Sequence, residues 1–504
     1  MSINRLLKYQ PYIETTAALL AIGYGLALRL RVLSLNLTFW LDEAMLGLNI
    51  VNRSFAELIK PLDYNQGAPL GFLWISKAAQ VLLGNHEYAL RLFPFAASCA
   101  SLFLLWLLAR QLIKPVGMLF ALLIISSSRY LVSYGVQFKQ YAVDVAITLF
   151  LYLFALHLLR KTCTKKDYLL LALSGGLSIW ISHPALFTLA GIGLLLMAVT
   201  FVKKDRAGSL NYTLVGGFWG LNFIALYLIQ YRSLASNEYL TNFWSEYFMP
   251  VALSAPGWIL SRIAGLFYNP GGLDFGIPEV FILTLFFGGM LSMLWREKRW
   301  IWIFFISMLF TLAASSLDKY PFGGRMAMFA IPGMLVCAGE GIELVRRLLG
   351  RIPVLSWITA LMLAGYLLYA PISFSIETAL KPRLTENISG TMSYLKANYR
   401  AGDVIYLHHF SSPAFRYYAA KYGLEDANVF EGTDLHLNRA AYQAEIAQLA
   451  GNKRAWLLFS HLTDIQSADD RDAILKYANL IGEKKREFSD PGTLIKLYLY
   501  QLSR

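Results

Sequence analysis

Two adjacent carboxylates, Asp42 and Glu43, stand in the run Thr38-Phe39-Trp40-Leu41-Asp42-Glu43-Ala44, just after the first hydrophobic segment of a chain with a net charge of +13. Paired acids at the edge of an apolar segment suit general-base chemistry, one taking a proton while the other tunes it or holds substrate. The plainer alternative is a solvated helix end, with Asp42 as the N-cap of a helix beginning at Glu43. Cations that would balance an anionic substrate lie in later segments. Lys139 and Asp144 fall in Gly135-Val136-Gln137-Phe138-Lys139-Gln140-Tyr141-Ala142-Val143-Asp144. An unpaired carboxylate at the depth of Asp144 costs a few kcal/mol, so it calls for a partner or a polar cavity, and a structural ion pair with Lys139 is the competing reading. Gln140, Tyr141, Asp144 and Tyr64 are candidate substrate contacts.

Arg325 closes Lys319-Tyr320-Pro321-Phe322-Gly323-Gly324-Arg325. Pro followed by Gly-Gly shapes a tight turn whose amides can approach an anion, and the planar guanidinium grips phosphate oxygens in pairs. A lone Arg at a span end also serves as a snorkelling anchor. His183, before Pro184, and Arg91, after Glu87, sit at predicted span ends as further phosphate donors, or as local caps and pairs; Arg29 and Arg31 are similar. No Walker loop, HExxH, nucleophile elbow or cysteine cluster is present. His408 and His409 have no second ligand cluster nearby in sequence. Cys99, Cys163 and Cys337 lie far apart, within or beside apolar runs, which fits packing rather than a disulfide or thiolate site.

The elements that must position these side chains are membrane helices. Of 504 residues, 57% are hydrophobic and 15% charged, and the apolar residues form blocks of about 18 to 23, the length a helix needs to cross ~30 Å of hydrocarbon. Predicted spans run over 12–33, 90–108, 116–134, 142–159, 168–182, 184–202, 212–230, 278–294, 300–316, 326–345 and 354–372. The first, from Pro11 to Arg29, has no small-residue cleavage site and reads as a retained span. Basic clusters recur at every second loop: Arg5 and Lys8; Arg110 and Lys114; Arg160 to Lys166; Lys203 to Arg206; Arg296 to Arg299; Arg346 to Arg351. The positive-inside rule puts these in the cytoplasm, with about eleven spans, the N-terminus inside and the C-terminus outside. They also account for the basic excess, so nucleic acid is not needed as a partner. The chemistry then collects on the extracytoplasmic face. There the first outer loop, 34–88, carries an amphipathic stretch, Leu70 to Leu83, that reads as interfacial rather than spanning.

After Pro371 the composition becomes that of a soluble domain. Asp403–Leu407 and Ala455–Phe459 read as strands, and Ser412–Lys421 and Ala468–Ile481 as helices. The expected architecture is mainly α: a transmembrane domain over 1–372 with interfacial helices in the first outer loop, and a small extracytoplasmic α/β domain over 373–504.

These features resemble the GT-C superfamily of integral-membrane glycosyltransferases, specifically the bacterial branch similar to protein O-mannosyltransferases and lipid A aminoarabinose transferases. The resemblance lies in Asp42-Glu43 on the first outer loop, Gly67-Ala68-Pro69-Leu70 before an interfacial helix, Glu87-Tyr88-Ala89-Leu90-Arg91-Leu92 opening the second span, and the span count with a C-terminal outer domain. One departure is Ala68-Pro69 where the family commonly has Pro-Pro. The resemblance implies a bacterial inner-membrane enzyme of the cell envelope. It would transfer a hexosyl or pentosyl group from a polyprenyl-phosphate sugar to a lipid, glycan or protein acceptor, with Asp42 as general base and Glu43 as its neighbour. The residues' own charge and position, rather than the resemblance, make Lys139, Arg325, Arg91 and His183 the candidates to bind the donor phosphate. No obligatory cofactor is expected, with a divalent ion bridging Asp42 or Glu43 left open. The rival classes are a flippase or transporter gated by Asp144 and Lys139, and a polysaccharide polymerase or ligase.

Overall fold

The computed structural model describes residues 3–502 except 275, 382, 383, 436, 437, 439, 463 and 464, and it describes no side chain of residues 3–11, 465 or 466. The side chains of Arg5 and Lys8 thus lie outside the described residues. Helix α1 (Ile3–Ser34) leads into a connection that carries α2 (Leu41–Asn52) and α3 (Leu70–Leu83) before α4 (Glu87–Leu112). Next, α5 (Pro115–Ser127) and α6 (Arg129–Gly135) form a pair bent by 56°. The break is at Ser128, whose hydroxyl caps Leu131 N of α6 and donates to Pro270 O.

Four long helices follow: α7 (Tyr141–Leu159), α8 (Lys165–Ile181), α9 (Ala185–Val202) and α10 (Arg206–Leu226). Short helices α11 (Arg232–Ala235), α12 (Glu238–Phe243) and α13 (Ala255–Tyr268) make the next connection. Helices α14 (Glu279–Trp295), α15 (Trp300–Ser316), α16 (Ile331–Leu348) and α17 (Pro353–Leu380) complete the bundle.

Among the described residues, seven helices are long and apolar enough to cross a membrane, or eight if the bent pair is one span. The other three predicted spans are also helical: α8, α14 and α15 have 17 residues each, about 26 Å at ~1.5 Å per residue, near the lower limit for spanning. With 14 residues α3 reaches only about 21 Å, and its exposed Val81, Leu82 and Leu83 give it the apolar face of an interfacial helix.

The bundle closes around α16, in which every residue from Ile331 to Glu343 is buried. Glycines allow backbones to touch there: a Cβ on Gly117 of α5 would stand 2.3 Å from Gly339 O of α16. The basic loops gather at one end. Arg296 and Arg347 both pair with buried Glu340 at 2.7 Å, and Glu343 Oε1 accepts from Val116 N and Gly117 N at the start of α5. Arg160 bonds Gln111 at the last turn of α4, whereas Arg91 near the first turn of α4 bonds Glu43 of α2. The basic loops and the acidic pair are therefore at opposite ends of a 26-residue helix, about 39 Å long at ~1.5 Å per residue.

α17 continues to Leu380 with Pro371 inside it, so the expected change at 372 falls within a helix. The segment after it folds as α18 (Ser389–Asn398), β1 (Val404–Leu407), α19 (Ser412–Tyr418), β2 (Asn428–Glu431), α20 (Ala441–Ala447), β3 (Arg454–Phe459), α21 (Ile465–Ile481), β4 (Gly482–Phe488) and β5 (Lys496–Leu502). The five-stranded sheet has the order β2-β1-β3-β5-β4. β1 is parallel to both neighbours, with Val404 opposite Asn428 and Ala455, and β5 is antiparallel to β3, with Arg454 opposite Gln501. Uniformly buried β1 and β3 form its centre, as their unbroken apolar sequences require.

Candidate active site

α2 begins at Leu41, so Asp42 lies in its first turn and is not the N-cap. Trp40 holds the cap position without a side-chain bond; instead, Leu41 N donates to Glu386 Oε2 at 3.1 Å, a carboxylate from the segment after α17. Negative charge near this N-terminus is favoured by the helix dipole.

The two acids have different surroundings. Glu43 is 1% exposed and fully engaged: Arg91 Nε donates to Oε1 at 2.9 Å, Arg91 Nη2 to Oε2 at 2.7 Å, and Phe138 N to Oε1 at 2.5 Å. Arg91 spends its remaining donor Nη1 on Leu37 O at 2.7 Å and stacks over Phe39. This buried fork fixes α2 to α4 and to the loop before α7. Arg91, expected as a phosphate donor, has each of its three nitrogens on a protein acceptor.

Asp42 is 19% exposed, and its Oδ2 meets Arg325 Nη2 at 2.7 Å. Burial pushes its carboxyl up, but the positive charges of Lys139, Arg325 and His461 outweigh this and hold it below its ordinary value. Lys139 is buried just before α7, its Nζ donating to Gln66 Oε1 at 2.7 Å, and burial pushes its ammonium down to about 8 against the pull of Asp42. Arg325 sits among three rings, Trp40 at 5.5 Å, Tyr141 at 5.7 Å and Trp244 at 5.5 Å. Such a cage orients a guanidinium while leaving edge donors for an anion. The turn before it depends on glycine: Gly324 has φ 48°, and a Cβ on Gly323 would lie 2.0 Å from the Tyr247 ring.

The remaining predicted residues fall into two groups. Gln140 adjoins the cluster, with Nε2 donating to Gly67 O at 3.4 Å, while Gln230 Nε2 donates to Ala68 O at 2.8 Å, so the 67–69 segment is held from two sides. Asp144 is buried in the first turn of α7, and its Oδ1 has no hydrogen-bond partner among the described residues. It makes no ion pair with Lys139, whose ammonium is on Gln66.

His183 and Tyr64 depart from expectation. His183 packs edge-on against Tyr231 at 5.1 Å, and burial pushes it down to about 4, so it is neutral near pH 7 and gives an anion no charge. Tyr64 is exposed, at φ 60°, with Arg416, Glu431 and Asp63 as its charged neighbours. Arg29 is a structural side chain: its Nε donates to Ser98 Oγ and its Nη atoms to Gly25 O, Ser126 O and Ile125 O.

Sequence reasoning did not single out Trp40, Gln66, Trp244, Glu386 or His461. Trp40 and Gln66 adjoin segments already marked; the other three reach the site through tertiary folding alone. Glu43 is consumed by Arg91, Asp42 is paired with Arg325, and among the described residues no three His, Cys, Asp or Glu side chains cluster as ligands. A cavity of about 410 Å³ opens behind the turn, lined by Tyr247, Arg262, Tyr268, Asn269, Gly323 and Gly324.

A similar overall fold occurs in known structures. ArnT from Cupriavidus metallidurans bound to undecaprenyl phosphate is similar at a TM-score of 0.53 and 12% identity, over 97% of this chain and 98% of that one. The archaeal oligosaccharyltransferase AglB from Archaeoglobus fulgidus, in complex with an inhibitory peptide and a dolichol-phosphate, is similar at a TM-score of 0.51 and 12% identity, over 98% of this chain and 75% of that one. The chain thus has the fold of these two structures. Within it, residues 67–229 match the family described as dolichyl-phosphate-mannose-protein mannosyltransferase. No curated protein matches the chain in sequence.

Proposed function

We propose that the protein is a glycosyltransferase that moves a sugar from a polyprenyl-phosphate donor to an acceptor hydroxyl or amide on the extracytoplasmic side of the membrane. The observation that carries this reading is the asymmetry of the acidic pair: Glu43 is locked away, whereas Asp42 is ionised, partly open and flanked by Arg325 and Lys139. In the reaction the acceptor attacks the anomeric carbon as its proton passes to Asp42. The bond from that carbon to the phosphate oxygen breaks, and the lipid phosphate leaves with the electron pair. Attack from the face opposite the phosphate inverts the anomeric centre.

The transition state gathers positive charge on the sugar and negative charge on the leaving phosphate. Arg325 and Lys139 are the cations for that phosphate. Gln140, Tyr141 and Asp144, at and just before the start of α7, suit the donor sugar. Undecaprenyl phosphate and dolichol-phosphate bound to two proteins of this fold support a polyprenyl carrier, and the peptide on AglB supports a peptide among the candidate acceptors. The position of the basic loops at the far end of α4 supports the sidedness.

The test is reconstitution of the full chain in vesicles containing a radiolabelled polyprenyl-phosphate hexose and membrane acceptors. Release of polyprenyl phosphate with label on the acceptor is the expected result. Movement of intact donor between leaflets without release would instead make the protein a flippase.

A further inference from the structure

We propose that His461, held by Glu386, is a positioning residue that the C-terminal domain supplies to the Asp42 site. This rests on the reading of Asp42 as the base and adds the soluble domain to the catalytic unit.

The sheet is aimed for such a role. β1 and β3 are parallel neighbours, while the chain leaves β1 for β2 on one side before returning to β3 on the other. The carboxyl ends of strands at such a switch point form the crevice where open α/β sheets place functional groups. Here those ends carry His408-His409-Phe410 after β1 and Ser460-His461 after β3. The two loops are tied together by Ser411 Oγ, which donates to Leu458 O at 3.0 Å and accepts from Ser460 N at 2.8 Å.

The domain packs on the segment that leads into α2 and on the start of α4, with α19 against α2 itself. Phe39 N donates to Tyr418 Oη at 2.8 Å, Ile388 N donates to Thr38 Oγ1 at 2.9 Å, and Lys421 meets Glu87 at 3.2 Å. Glu386 is the hinge pin of this contact: Oε2 accepts from Leu41 N, the first amide of α2, while Oε1 lies 2.9 Å from His461 Nδ1. The His461 ring packs beside Trp40 at 6.5 Å and Phe410 at 5.3 Å. Trp40 in turn lies under Arg325, the partner of Asp42. His461 itself has φ 57°, a left-handed backbone that a non-glycine residue adopts at a cost, and such cost gathers where a side chain must be aimed. One carboxylate therefore sets both the start of the helix that bears Asp42 and the imidazole beside it. Loss of the pair lets the first turn of α2 drift from Arg325 without touching the cations that hold the donor.

The test uses the reconstituted full-length protein with radiolabelled undecaprenyl-phosphate hexose as probe. His461→Phe keeps the ring volume against Trp40 and Phe410, and His461→Ala opens a space for added imidazole. Both variants are expected to lose kcat by at least about tenfold, with the KM for donor within about twofold of wild type. Millimolar imidazole is expected to restore part of the loss in His461→Ala but none in His461→Phe, and Glu386→Gln to reproduce the kcat loss. Wild-type kcat in His461→Phe, or a loss carried by donor KM alone, would overturn the assignment. A kcat loss in His461→Ala that imidazole leaves untouched would make the residue a packing group and overturn it as well. If wild type and Asp42→Asn transfer equally, the base reading fails and this assignment fails with it.

Discussion

Replacing Glu43 by Gln removes one charge from a buried fork while leaving the shape almost unchanged, and the structure sets the size of the effect. The carboxylate accepts from Arg91 Nε, Arg91 Nη2 and Phe138 N, and its side chain is 1% exposed. Breaking such a pair strands a buried guanidinium and costs about 3–5 kcal/mol. At ~1.4 kcal/mol per factor of ten, the state in which α2 has come away from α4 becomes about 10² to 4 × 10³ times more populated. Hydrogen–deuterium exchange resolved by peptide reads this directly: amides of α2 and of residues 136–140 should exchange faster by that factor, while α16 stays unchanged. The double replacement Glu43→Leu with Arg91→Met should recover part of the protection, since it strands no charge but leaves the Phe138 amide and the Leu37 carbonyl without these partners, at about 1–3 kcal/mol each. Unchanged exchange in Glu43→Gln together with lost transfer would refute the reasoning, because Glu43 would then act in the chemistry and not in the scaffold.

Other predictions follow from the cations. Lys139, pushed down to about 8 by burial, carries its charge below that pH and sheds it above; the KM for a polyprenyl-phosphate donor should therefore rise between pH 7 and pH 9, and Lys139→Arg should flatten the rise. A pH profile identical in the two proteins would remove Lys139 from donor binding. Arg325→Lys keeps the charge but loses the planar fork and the stacking on Trp40, Tyr141 and Trp244. A fall in kcat/KM of about 10- to 100-fold is expected, measured with saturating acceptor, and a change within twofold would contradict the cage argument.

The membrane helices were legible because an apolar run long enough to cross hydrocarbon finds almost no stable place outside a bilayer, and all eleven predicted segments are helical. Pro371 misled the boundary: a proline in an apolar helix leaves the segment continuous to Leu380. Strands β1 and β3 were visible as apolar runs, but β2 and β4 are polar, largely exposed edges, and β4 reads Gly-Glu-Lys-Lys-Arg-Glu-Phe with no alternation to follow. Asp42, Lys139 and Arg325 were found by residue type and by their place at the ends of spans. The division of labour between Asp42 and Glu43 was not readable, since it depends on Arg91 occupying one carboxylate and Arg325 the other. His183 looked like a donor because sequence shows its place at a span end but not the burial that removes its charge. Glu386 and His461 carried no local signal; they become part of the site only where the C-terminal domain packs on the segment that leads into α2.

The central claim is that Asp42 takes the acceptor proton, and a single-turnover comparison of wild type with Asp42→Asn tests it most directly. Donor binding is measured alongside, because the amide leaves Lys139 in place. The account predicts that the variant still binds the polyprenyl-phosphate sugar while its transfer rate falls by about 10² to 10⁴. Transfer at the wild-type rate by Asp42→Asn would contradict it.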